Sequence, residues 1–170
     1  HKTSSAASDV YKRQGGVRGL ASANFLRKLE FEMHKPLLEK FDLVCGSSTG
    51  GILAIALSVL KLNGSRLVNI YSSRNLKRIF STSMPRVFGP KYGGRRKNNV
   101  LREYFGSLTL AEAKTPAIAV SYDLKNRSTR LFKTFEDKEM EAWKVASATS
   151  AAPTFFPAIK TVSYTHLRAH

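Results

Sequence analysis

The feature that most constrains this chain is a five-residue bend. Gly46-Ser47-Ser48-Thr49-Gly50 separates a short apolar run, Phe41 to Cys45, from an unbroken apolar stretch, Gly51 to Leu62. This is the G-x-S-x-G pattern, and it acquires meaning only when a strand enters it and a helix leaves it. A serine exposed on such a turn leaves the backbone crowded, so the positions two before and two after must be small. Gly46 and Gly50 meet that demand, and Gly51 adds room. The helix expected from Thr49 directs its free N–H groups and the positive end of its dipole at the bend, where they favour negative charge developing on a substrate oxygen. Ser48 is therefore the candidate nucleophile; Ser47 lacks the symmetric glycine spacing. The structural alternative is a serine that merely caps a helix after a glycine turn.

A second glycine-rich turn, Gly15-Gly16-Val17-Arg18-Gly19, precedes a helix expected over Leu20 to Met33, in which Leu26, Leu29 and Met33 share a face. Acyl transfer needs hydrogen-bond donors for a tetrahedral oxyanion, and such a turn offers backbone N–H groups without side-chain obstruction. Arg18 adds positive charge. Neither turn is followed by Lys-Ser or Lys-Thr, so there is no Walker A loop, and the dinucleotide fingerprint is not matched.

The remaining segments read as alternating strands and helices. Phe41 to Cys45 is expected as a buried strand, and the helix after the bend should run to Leu62, with Asn63-Gly64 as its C-terminal stop. Ser65 is the expected cap of a third helix with Val68, Tyr71 and Ile79 among its apolar positions. Ser81 to Asn98 reads as a long basic loop, and Val100 to Phe105 as a short amphipathic helix. Strands are expected over Ala117 to Tyr122 and Thr129 to Phe132, and a helix over Glu139 to Ala148, broken by the Ser150 to Pro157 run. This alternation argues for an α/β layered fold. The Gly51 to Leu62 stretch is too short to span a bilayer, which takes about 20 residues.

The two ends have no periodicity in common with their neighbours. Residues 1–14 and 162–170 resemble translated adapter read-through from sequence assembly, which leaves 15–161 as the domain proper. His1 to Gln14 is polar and has no apolar h-region, so no signal peptide is expected. The net charge is +16, and removing Lys2, Lys12, Arg13, Arg168 and Asp9 still leaves +13. A surface this basic attracts anionic membrane, nucleic acid or acidic partners. The single cysteine, Cys45, excludes an intrachain disulfide. The expected setting is cytoplasmic or peripheral to a membrane.

Taken together, in this order and about thirty residues apart, the two loops resemble the patatin-like phospholipase family, which opens with Asp-Gly-Gly-Gly-x-Arg-Gly and continues with Gly-x-Ser-x-Gly. GGVRGL and FDLVCGSSTGGILA match closely, and LREYFGSLTLAEA, AVSYDLKNRSTRLFKT and ASATSAAPTFFPA extend the similarity over Gly15 to Ile159. The resemblance implies a three-layer α/β sandwich around a mostly parallel central sheet, incomplete here at both ends. It also implies a serine–aspartate dyad that hydrolyses acyl esters of membrane lipids without metal or cofactor. By motif match Ser48 is the nucleophile, Gly46, Ser47, Thr49 and Gly50 complete its elbow, and Gly15, Gly16, Val17 and Arg18 form the oxyanion loop. Two departures stand out. Arg13-Gln14 occupies the place of Asp-Gly, without the strand that should precede it. The Asp-Gly motif that carries the family's base does not occur in the chain.

No residue of the chain takes that vacancy. His34 precedes Ser48, against the order of a serine–histidine triad, and reads as a surface histidine at a helix end. Asp42 opens the strand at the end away from Ser48, Asp123 reads as a turn residue that could border the site, and Asp137 as a solvated helix-start residue. The base is therefore expected beyond this chain, and the 170 residues alone are expected to hydrolyse little or nothing. Lys91 to Arg102 carries five basic residues and no acid, either as a solvated loop or as a contact with anionic phospholipid headgroups. No nucleic-acid motif accompanies it, and no nucleic-acid partner is expected. The leading function is a phospholipase A-like hydrolase. The alternatives are a non-catalytic lipid- or anion-binding protein on the same fold and a small-ester esterase.

Overall fold

The apolar stretch after Ser48 determines the centre of the molecule. In the computed structural model, which describes residues 19–80, 90–153, 155–162 and 165–168, Gly51 to Val59 are all buried. A helix that is apolar on every side must be enclosed by other elements. This one, α2 (Thr49–Leu60), follows α1 (Gly19–Met33) and β1 (Val44–Ser47) and is covered by its neighbours in turn. It packs on β1, on β2 (Ala117–Asp123), on α1 and on α6 (Ala142–Thr149). Between them come α3 (Gly64–Ile70), α4 (Ser73–Phe80), α5 (Gly94–Phe105) and β3 (Ser128–Lys133). Two short strands, β4 (Ile159–Val162) and β5 (Thr165–Arg168), complete the sheet.

β2 is the central strand. It pairs in parallel with β1, in a register that sets Gly46 opposite Ala119 and Ser47 opposite Val120. It pairs antiparallel with β3 along Ile118 to Asp123, and beyond the end of β1 with β5 at Tyr122 and Asp123. β4 lies antiparallel to β5. The α/β arrangement is the one expected, and among the described strands the parallel pairing is the β1–β2 step that leads into the bend. The core joins Ile55, Leu57 and Val59 of α2 to Leu67, Phe105, Phe132, Trp143 and Val145. The segment read as foreign from Val162 onward contributes β5, whose Leu167 is buried in that core.

Several boundaries differ from the expectation, each for a local reason. The first strand begins at Val44 rather than Phe41 and runs to Ser47, and its side chains alternate between half-buried and exposed instead of being buried throughout. The second helix ends at Leu60 because Lys61 turns left-handed, with φ +55°. Asn63 and Gly64, expected as its stop, instead start α3. Asn63 Oδ1 accepts the Arg66 amide at 2.9 Å, displacing Ser65 as the cap. A β-carbon at Gly64 would meet the backbone of Arg27 in α1, so that glycine permits a close helix crossing. The single third helix is two, interrupted at Tyr71 and Ser72.

The largest correction concerns the basic loop. Residues 81–89 lie outside the described part, but from Gly94 the chain is helical, so the amphipathic helix starts six residues before the expected Val100. In it Lys97, Val100, Leu101 and Phe105 fall on one buried face, while Arg95, Arg96 and Arg102 are exposed.

Candidate active site

Ser48 sits on the sharp corner between β1 and α2 with φ +55° and ψ −123°. A non-glycine residue in this sparsely populated region stores roughly 1–3 kcal/mol of strain, and such strain persists only where the surroundings impose it. Three contacts impose it here. The Ser48 amide donates to Thr149 Oγ1 at 3.0 Å, and that hydroxyl donates onward to the Val120 carbonyl at 2.6 Å. The Ser48 carbonyl accepts the Ile52 amide at 3.1 Å, which starts the helix. The Ser48 side chain does not cap α2, so the capping alternative does not describe it. Ser47 belongs to the strand, in register with Val120.

The crowding is real but distributed differently from the motif's symmetry. A β-carbon at Gly46 would run into the backbone of Gly50 and Gly51, and one at Gly51 into the side chain of Thr149. At Gly50 nothing among the described residues comes within 4 Å of such an atom. The two glycines that the geometry requires are therefore Gly46 and Gly51.

Ser48 opens on a cavity of about 70 Å³ between α2, α3, α4, α5 and the segment after α6. Its walls are mostly apolar, from Ile52, Ile70, Leu76, Val100, Phe155 and Phe156. The polar groups are Ser48 and Thr49, Tyr71, Lys97 and Ser150. A wider cleft of about 610 Å³ lies between α1, β1 and α2, but it reaches none of these groups. Chemistry and not size selects the smaller one. Tyr71 donates to the Thr49 carbonyl at 3.0 Å, and burial pushes its phenol well up, so it stays neutral.

The candidate oxyanion residues Gly15, Gly16, Val17 and Arg18 lie outside the described residues. Gly19 is buried directly against the Tyr71 ring, where a β-carbon would come within 2.8 Å of the phenol oxygen. Gly19 thus abuts the residue that binds the first turn of α2.

None of the acids weighed from the sequence lines this cavity. Asp42 is exposed ahead of β1. Asp123 caps a turn: its carboxylate accepts the Lys125 amide at 2.8 Å, the Asn126 amide at 3.2 Å and Asn126 Nδ2 at 2.8 Å. Burial acts to raise its pKa, and these hydrogen bonds outweigh burial and hold it below the usual range. Asp137 is not a solvated helix start. Its carboxylate pairs with Arg130 and accepts the Lys133 amide at 2.9 Å in the turn after β3. His34 ends α1 with φ +50°, exposed, beside Phe31. Among the described residues no three His, Cys, Asp or Glu side chains gather as a metal site.

Two residues that the sequence did not single out belong to the site, Thr149 bonded to Ser48 and Lys97 on the wall of the same cavity. Thr149 accepts the serine amide. Lys97 has only 4% of its surface exposed, and its Nζ donates to the Ser147 carbonyl at 2.8 Å and to Ser150 Oγ at 3.3 Å, 4.7 Å from the centre of the Phe156 ring. Burial without a carboxylate partner among the described residues pulls the pKa of this amine down to about 7. The signal for Lys97 was its helical spacing from Val100 and Leu101. For Thr149, whose partner is 101 residues away, there was none.

The model of the patatin-like phospholipase family matches residues 15–167. Patatin-like protein 2 of Oryza sativa subsp. indica is 31% identical over 173 residues, covering 85% of this chain and 42% of the relative. A cGAMP-activated phospholipase of Pseudomonas aeruginosa is 32% identical over 154 residues, covering 84% of this chain and 46% of the relative. Patatin group A-3 of Solanum tuberosum is 30% identical, over 84% of this chain and 41% of the relative. The crystal structure of VipD from Legionella pneumophila superposes with a TM-score of 0.69 at 9% identity, over 91% of this chain and 44% of that one, a likeness of fold. The chain thus spans less than half the length of these relatives.

Proposed function

The chain belongs to the patatin-like phospholipase family, and from that premise we infer that the complete protein is a lipid acyl hydrolase with Ser48 as its nucleophile. The observation that carries this reading is the strained corner at Ser48, opening on an apolar cavity. A buried corner would not present a hydroxyl to substrate, and a polar cavity would not receive an acyl chain.

In the proposed reaction, Ser48 Oγ attacks the ester carbonyl carbon while its proton passes to an aspartate. That aspartate is the one the family carries after the SAAPTFFP-like run, in a part of the protein beyond this chain. The carbonyl π electrons move to oxygen, and the oxyanion is held by amides of the Gly15–Arg18 turn and the N-terminus of α2. The tetrahedral species collapses and expels the alcohol, which takes the proton back from the aspartic acid. Water then attacks the acyl-serine in the same way and releases a fatty acid. The carboxylate must be partly buried to act as a base near neutral pH. Without it, the 170-residue chain is expected to turn over poorly. The exposed bases of the Lys91–Arg102 segment are proposed to rest on anionic headgroups while substrate enters.

The test is turnover by the complete protein on phospholipid vesicles and on short-chain esters, beside Ser48→Ala. Release of fatty acid from phospholipid, lost in the variant, supports the reading. Turnover of short esters alone indicates an esterase. Vesicle binding with no turnover of either indicates a lipid-binding protein on this fold, and refutes the hydrolase.

A further inference from the structure

Lys97 faces the Ser48 cavity, and nothing in the proposed reaction uses it. Its ammonium spans two elements. From α5, Nζ reaches the Ser147 carbonyl and the Ser150 hydroxyl at the end of α6, and its neighbour Asn98 holds the other side of the same turn by accepting the Ser147 hydroxyl at 2.5 Å. Ser150 Oγ turns back to the Ala146 carbonyl at 2.7 Å. Thr149, enclosed between those anchored residues and fully buried, accepts the Ser48 amide. An unbroken series of contacts thus runs from α5 through the end of α6 to the corner that carries the serine.

We propose that Lys97 is a positioning residue for the Ser48 corner, its ammonium bracing the Ser147–Ser150 turn so that Thr149 Oγ1 meets the Ser48 amide. This deepens the hydrolase reading and rests on it for the link to reactivity, although the brace itself does not require catalysis. Physical chemistry argues against a role in stability alone. A buried ammonium with no carboxylate partner is costly to desolvate, and apolar residues of similar size often replace buried charge at no loss. Retaining one here is accounted for if its two directed hydrogen bonds set a geometry that matters. Around it, α6 contributes the Ser147 carbonyl, the residue after α6 the Ser150 hydroxyl and the following segment the Phe156 ring, while the Ser48 corner and the neutral Tyr71 phenol just past α3 line the same cavity. Among the described residues no acid faces it, so its own proton, lost near pH 7, is the ionisation to follow.

The experiment uses the complete protein with Lys97→Met, which keeps the bulk and removes the charge and donors. Two readouts are taken across pH 6 to 9: amide hydrogen exchange of the peptide spanning Ser48, and the rate at which a fluorophosphonate labels Ser48. The expected result is an unfolding temperature equal to or above wild type and Ser48 exchange at least about tenfold faster. Labelling should be about 10–100-fold slower, as a misplacement on the scale of an ångström produces. The wild-type rate, normalised to the variant, should bend near pH 7. Unchanged exchange and labelling in a folded Lys97→Met protein overturns the proposal while leaving the hydrolase reading intact. Faster exchange in a protein whose wild type never labels upholds the brace and sinks the hydrolase. Should Lys97→Met not fold, Ser150→Ala removes one acceptor of the ammonium at little cost in volume. It should speed Ser48 exchange by a smaller factor, and no change there overturns the proposal.

Discussion

At the scale of residues, the bend is held by a few contacts whose removal has calculable effects. Gly46 and Gly50 are equivalent in the motif but not in the structure. Gly46→Ala forces a methyl into the backbone of Gly50 and Gly51 and should destabilise by about 1–3 kcal/mol or more, the usual range for overpacking. Gly50→Ala, at a helical position with open space among the described residues, should leave stability level or raise it by up to about 1 kcal/mol. Urea denaturation of the two variants distinguishes them. Lys97 gives a prediction with a definite sign. Its folded pKa, about 7, lies below the ordinary value of 10.5, so between those limits the unfolded chain holds more protons than the folded one. Stability then rises with pH through that window and is lowest below about pH 7, where the buried amine must carry its charge. The wild type should gain stability from pH 7 to pH 10 relative to Lys97→Met. A constant difference across that window would contradict the burial of a titrating amine.

At the scale of elements, the sequence revealed what is local and hid what is not. The bend was legible because strand, glycine spacing and apolar helix are contiguous, and the same holds for α1, β2 and β3. The strand Val44–Ser47 was misread at its start because Phe41 and Leu43 are apolar yet stand outside the ladder, with Leu43 46% exposed. The helix α5 was hidden by its own charge. Four basic residues and a glycine pair read as loop, although Lys97, Val100, Leu101 and Phe105 carry the helical period. A lysine on that stripe is the one mark of the buried amine that was visible beforehand. The bond from Ser48 to Thr149 was not legible, since it joins elements that meet only in the folded chain. The element everything rests on is α2. Ile55 in it is fully buried, and Ile55→Ala should cost about 2–5 kcal/mol, read as a lower denaturation midpoint with an unchanged slope.

At the scale of the whole molecule, two properties remain: excess positive charge and an apolar cavity lined in part by the basic helix α5. Lys91 and Arg95 are exposed, and Lys91 Nζ lies 5.5 Å from the centre of Tyr92 in an aromatic group with Phe80, Phe155 and Phe156, whose contacting rings lie 5.3 to 6.3 Å apart. A surface of that kind matches an anionic interface with apolar depth. Lys91→Glu with Arg95→Glu should weaken binding to phosphatidylserine-containing vesicles by about 1 kcal/mol per residue neutralised and more on reversal, with a shallower salt dependence. Equal binding by both proteins in co-sedimentation would remove this face from the account. Membrane contact is secondary to the proposed role of the backbone corner at residue 48, which, strained and backed by Thr149, would make one hydroxyl reactive toward acyl groups. The most direct measurement treats the complete protein with a fluorophosphonate and locates the adduct by peptide mass spectrometry. The account predicts a single stoichiometric adduct on Ser48, abolished by Ser48→Ala. A folded protein that takes no label, or takes it on Ser47 or elsewhere, contradicts it.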